Sequence, residues 1–149
     1  MKKLLLAVAV LFTAGAHAQI LTPVHWSYAA KKTSPTEAVV LIKATIDDEW
    51  HIYSQTVKDG GPVKTSFTFA PAKTYSVVGK TIEPKPITKF EKAFSMNVSY
   101  FESSVIFQQK IKLKAPNSKV TVKGKLEYMT CNDQKCLPPE TVDFSVDIK

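Results

Sequence analysis

The sequence predicts an all-β domain, an antiparallel β-sandwich, and three observations carry that prediction. Apolar and polar residues alternate with period two along almost the whole chain beyond its first residues, as half-buried strands require. No segment there keeps a 3.6-residue apolar period for three turns, so no amphipathic helix is expected. Clusters of Pro, Gly, Asn and Asp separate the alternating runs at short intervals, which indicates seven to nine short strands in about 130 residues.

The individual elements follow from the pattern. In "AVVLIKATID" Val40, Ile42, Ala44 and Ile46 form the apolar set. "WHIYSQ" and "TSFTFA" are shorter strand candidates. The clearest strand is "SVIFQQKIKLK", with Val105, Phe107, Ile111 and Leu113 on one face and Lys110, Lys112 and Lys114 on the other. "KVTVKGKLEYMT" sets Val120, Val122, Leu126 and Tyr128 against Lys123, Lys125, Glu127 and Met129, and "TVDFSVDI" turns Val142, Phe144, Val146 and Ile148 inward. These last two strands are expected to form one edge of a sheet. Turns are expected at Asp59-Gly60-Gly61-Pro62, Ala70-Pro71, Pro84-Lys85-Pro86, Ala115-Pro116-Asn117 and Pro138-Pro139. Residues 81–98 alternate weakly and contain two prolines, so they read as a long loop lying over another part of the molecule.

The first residues give an address. Lys2 and Lys3 precede an apolar run over 4–12, and Ala16-His17-Ala18 supplies a small-residue cleavage signal. That is the pattern of a secretory signal peptide over 1–18, with Gln19 as the first mature residue. The run is too short to span a bilayer, which takes about 20 apolar residues. No cysteine sits at the cleavage site, so no lipid anchor is expected, and the short n-region is of bacterial type; the expected compartment is the periplasm. Residues 19–149 make one domain with a real core. The formal charge of +7 falls to +5 without the leader, and the lysines are scattered. A nucleic-acid partner, which favours a clustered basic face, is not expected.

Both cysteines, Cys131 and Cys136, lie in "EYMTCNDQKCLPPETV". Two cysteines in a small exported protein ordinarily form one structural disulfide, the inert bond of a binding or assembly module. Three features favour a reactive pair instead. Closing so short a loop removes only about 2 kcal/mol of chain entropy, against about 4 to 5 kcal/mol for a loop near 100 residues. Continuing the parity of the preceding strand puts Cys131 with Lys123, Lys125 and Glu127 on the solvent side. Finally, the pair sits in a connection that can open and close locally, as an exchanging couple must, one thiolate attacking and a second thiol resolving. Lys135, beside Cys136, is a charge that favours a thiolate. Met129, Cys131, Cys136 and His51 also make a set of soft ligands for a metal such as Cu(I), but without a CxxC or HxxxH core.

These residues resemble the periplasmic N-terminal domain of the thiol:disulfide interchange protein DsbD. The resemblance rests on "EYMTCNDQKCLPPETV", supported by "DDEWHIYS" and "FEKAFSMNVSYFESSVIF", and it covers the mature chain in outline. It implies an immunoglobulin-like sandwich that passes reducing equivalents to thioredoxin-like periplasmic proteins, without cofactor, metal or small-molecule substrate. By position it implies that Cys136 attacks the partner disulfide and Cys131 resolves it. It further implies a cap loop whose aromatic shields the sulfurs, here Phe94 with Phe90 second, and a site lined by His51 and Tyr53. Two departures stand out: Lys92-Ala93 precede Phe94 where the family often carries acids, leaving Glu91 as the nearest one, and the chain stops at Lys149. A stand-alone version is expected to draw its electrons from a separate membrane donor.

Overall fold

The computed structural model describes residues 20–149, so the predicted leader over 1–18 lies outside the described residues. Among the described residues there are eleven strands and no helix: β1 (Val24–Ser34), β2 (Glu37–Ile46), β3 (His51–Tyr53), β4 (Ser66–Phe69), β5 (Tyr75–Ile82), β6 (Ile87–Glu91), β7 (Met96–Glu102), β8 (Ser104–Leu113), β9 (Val120–Tyr128), β10 (Thr130–Cys131) and β11 (Glu140–Ile148). All pair antiparallel, in a first sheet ordered β1-β2-β8-β5, a second ordered β10-β3-β7-β6 and a third ordered β11-β9-β4. The first and third sheets face each other as the two layers of the immunoglobulin-like sandwich.

The alternation decides which side chains go inside. Val40, Ile42 and Ala44 of β2, Phe107 and Ile111 of β8, and Val122 and Leu126 of β9 are all buried in one core with Phe144, Val146 and Ile148 of β11. Aromatic pairs bridge the layers: Phe67 of β4 lies 4.9 Å from Phe107 of β8, and Trp26 of β1 packs edge-on at 5.3 Å against Tyr128 of β9. One inward position of β8 is polar. Gln109 is buried, and it is satisfied there: its Oε1 accepts from Thr81 Oγ1 (2.9 Å) and its Nε2 donates to the carbonyls of Val78 (2.9 Å) and Lys110 (3.0 Å). Those bonds close the register shift in β5 between Val78 and Ile82, where Gly79 takes a φ of 69°.

The strand count exceeds the expected seven to nine because three runs change sheets. Ser103, at φ 59°, alone separates β7 from β8, and its carbonyl accepts from the Ile46 amide at 2.8 Å. Met129 alone separates β9 from β10, and Glu49 at φ 70° lies in the connection from β2 to β3. The second sheet is therefore built largely from continuations of sandwich strands beyond these breaks. Residues 81–98 are not the expected long loop. They contain the end of β5, all of β6, the turn at Phe94 and the start of β7, and β6 shows no alternation because nearly all of it is exposed on both faces.

Candidate functional site

The second sheet has two different faces. Ile52 of β3 and Phe101 of β7 point into the main core. The opposite face gathers Tyr53, Val98, Tyr100 and Cys131 into a separate buried cluster, against which Val57, Phe94, Met96 and Met129 pack. Register explains the grouping, since Cys131 pairs with His51, Tyr53 with Tyr100, and Met96 with Glu91.

Cys131 and Cys136 are joined by a disulfide, with 2.02 Å between the sulfurs and 4.0 Å between the Cα atoms. They face each other across a tight hairpin at a position without direct backbone bonds, flanked by Leu137 N donating to the Thr130 carbonyl and Asn132 N donating to the Lys135 carbonyl, both 2.9 Å. Asn132 holds the turn with its side chain: Oδ1 accepts from the amides of Gln134 (2.9 Å) and Lys135 (2.8 Å).

The two sulfurs are not equivalent. Cys136 is exposed, whereas Cys131 has no exposed surface. The expectation that strand parity puts Cys131 on the solvent side is wrong. Parity fails at Met129, where the chain leaves the third sheet and enters the second, and both Thr130 and Cys131 are buried in β10.

His51 and Tyr53 stand side by side on β3, with His51 Nε2 and Tyr53 Oη 3.1 Å apart in a buried hydrogen bond. The His51 ring lies 5.2 Å from that of Tyr53 and 5.0 Å from that of Tyr100. The backbone beneath them is pinned by Thr130 Oγ1, which donates to the His51 carbonyl at 2.9 Å, and by Thr65 Oγ1, which donates to that of Tyr53 at 2.5 Å. Burial holds the His51 imidazole below its ordinary pKa, while Glu91, Glu102 and Asp133 act in the opposite sense. Burial also raises the phenols of Tyr53 and Tyr100, with Glu91 adding to both.

Phe94 occupies the turn of the β6–β7 hairpin, formed by Phe94 N donating to the Glu91 carbonyl (3.3 Å) and Ser95 N to that of Lys92 (3.2 Å). Its half-buried ring meets Tyr53 edge-on at 6.3 Å and packs on the cluster that holds Cys131. Phe90 is elsewhere. It alternates with Lys89 and Glu91 along β6, so it points to the other side of the sheet, and it is 57 % exposed. Glu91, the acid nearest Phe94 in the sequence, belongs to this neighbourhood, as do Tyr100, Glu102 and Asp133, which were not singled out from the sequence. The alternation of Met96, Val98 and Tyr100 in "SMNVSYFE" was the available signal for Tyr100.

A buried, orientated sulfur bonded to an exposed one is an arrangement for dithiol–disulfide exchange, because an incoming thiolate or disulfide reaches one sulfur only. Among the described residues no group of three or more His, Cys, Asp or Glu is placed to hold a metal ion. In the disulfide, neither sulfur is free to act as the thiolate ligand that a soft metal requires.

Comparison with known proteins bears on the fold and the family. No curated protein matches the sequence. Among solved structures, the N-terminal periplasmic domain of ScsB from Proteus mirabilis superposes with a TM-score of 0.59 at 18 % identity, covering 87 % of this chain and 49 % of that one. The DsbD N-terminal domain of Neisseria meningitidis in its reduced form gives 0.51 at 17 % identity, covering 79 % and 82 %. A structure of the complex between the DsbD and PilB N-terminal domains of the same organism gives 0.55 at 17 %, covering 85 % and 87 %. At these identities the likeness concerns the fold. The family described as "Thiol:disulfide interchange protein DsbD, N-terminal" matches residues 18–148, and the chain belongs to that family.

Proposed function

We propose that this chain is a periplasmic electron carrier that passes two electrons from a Cys131/Cys136 dithiol to the disulfides of thioredoxin-like partner proteins, with residues 19–149 as the exchanging domain. In this reading the Cys136 thiolate attacks one sulfur of the partner disulfide, forming a mixed disulfide and releasing the partner's other sulfur as a thiolate. The Cys131 thiolate then attacks Cys136 Sγ, the intermolecular bond breaks, and the partner leaves with both sulfurs reduced. Two electrons pass from this protein to the partner, and the intramolecular bond seen in the structure is the oxidised product.

The observation that carries the assignment of roles is the difference in burial. Cys136 is exposed and can meet a partner, whereas Cys131 is enclosed and can meet only Cys136. Family membership supports exchange as the chemistry, and the solved complex of a DsbD N-terminal domain with a PilB domain supports a protein as the partner. The periplasmic location of the similar ScsB domain supports the compartment, together with the leader pattern over 1–18.

The experiment is a trap. Cys131→Ala, reduced and mixed with an oxidised thioredoxin-like protein, should accumulate a covalent complex whose linking peptide contains Cys136. A complex formed only by Cys136→Ala, through Cys131, would reverse the roles, and none with either variant would refute exchange.

A further inference from the structure

The resolving step needs Cys131 as a thiolate, yet Cys131 has no exposed surface. A thiol in such a site is harder to ionise than the ordinary thiol near pKa 8.5, and water cannot take its proton directly. Taking the proposed exchange as given, we infer that His51 is the proton acceptor that ionises Cys131 when the mixed disulfide is resolved.

The strand order makes His51 the titratable side chain best placed for this. It is the register partner of Cys131 on the adjoining strand β3, and such pairs have Cβ atoms about 5 Å apart. Glu102 lies on β7, two strands from β10, and Glu91 and Lys89 on β6, three strands away. At about 4.8 Å per strand these are roughly 10 and 14 Å distant at the backbone. Asp133 belongs to the exposed turn beyond Cys131. The remaining polar neighbours, Tyr53 and Tyr100, are phenols whose burial opposes ionisation.

The ring is also held in place. Its bond to Tyr53 Oη engages Nε2, and the rings of Tyr53, edge-on, and Tyr100, tilted, pack against it at 5.2 and 5.0 Å. The proton-accepting tautomer is the one in which Nε2–H donates to Tyr53, because Nδ1 then keeps its lone pair and can take the thiol proton. Burial lowers the His51 pKa, so the ring is neutral and able to accept near pH 7; Glu91, Glu102 and Asp133 favour the imidazolium once it forms, and Lys89 opposes it. The proton is afterwards released to the departing partner thiolate or to solvent, which leaves the two-electron balance unchanged.

The test uses 5,5′-dithiobis(2-nitrobenzoate) as the disulfide. Reduced protein should release two thionitrobenzoate anions in sequence, one when Cys136 attacks and one when Cys131 resolves. In the native protein the second phase is expected to rise with pH through a midpoint no higher than the ordinary imidazole range, about 6.5. In His51→Gln it should slow about tenfold or more at pH 7, move its midpoint to about 8.5 or above, and converge with the native rate in strong alkali, while the first phase changes less than about twofold. A second phase that keeps the native rate and midpoint, or slows equally at every pH, overturns the role of His51. If His51→Gln does not fold, Tyr53→Phe serves: loss of the Nε2 anchor should slow the second phase about threefold at pH 7, and no slowing overturns the proposal. Absence of a second phase in the native protein would instead refute the exchange reading itself.

Discussion

Gly124 sits in the middle of β9, opposite Phe144 of β11 and Phe69 of β4. A Cβ there would lie 2.5 Å from Phe144 Cζ and 2.6 Å from the Thr68 carbonyl oxygen, so the absence of a side chain is what lets the Phe144 ring cross the strand. Gly124→Ala is expected to destabilise the protein by about 1–3 kcal/mol, because a ring and a backbone carbonyl must both move. Urea unfolding checks it, and an unchanged midpoint would mean that Phe144 repacks freely. At this scale the sequence was legible wherever a strand stays in one sheet: Val40, Ile42, Val105, Phe107, Val122 and Leu126 are all inside, as alternation predicts. It misled at Cys131, since parity carries across a strand only while the strand keeps its sheet. Nothing in "LEYMTC" announces that Met129 ends one sheet and starts another.

Among the elements, the β6–β7 hairpin is the one whose pattern was weakest and whose position matters most. With both faces of β6 open to solvent, its sequence "ITKFE" carries no period, and two prolines before it strengthen the look of a loop. The same exposure on an edge strand leaves β6 itself with few apolar contacts, whereas β7 is anchored by Val98, Tyr100 and Phe101, so β6 and the turn carrying Phe94 are the part of the hairpin that opens locally at low cost. Phe94→Ala should therefore speed alkylation of the reduced thiols by iodoacetamide severalfold while leaving the sandwich folded by circular dichroism. An unchanged rate would make Phe94 a packing residue with no shielding part. The proline and glycine turn signals were read more securely than the hairpin, because their backbone demands are local: Pro84-Lys85-Pro86 separates β5 from β6, and Asn117, at φ 54°, closes the turn before β9.

For the molecule as a whole, the fold class was legible because it depends on the dominant period and on turn spacing, and both survive the sheet changes. The sandwich also sets the energetic scale for the disulfide. Burying Val105, Phe107, Ile111 and Leu113 of β8 alone contributes roughly 6–12 kcal/mol of hydrophobic stabilisation before entropy is counted. A crosslink closing a hairpin with a sequence separation of 5 adds about 2 kcal/mol, so the fold does not depend on it. The bond can open and close without loss of the scaffold that orients it. Titrating the Cys131–Cys136 couple against a glutathione or dithiothreitol series tests this most directly. An exchanging couple predicts a reduction potential well above about −300 mV with the reduced protein still folded, whereas a potential below about −300 mV, the range of inert structural disulfides, would contradict it.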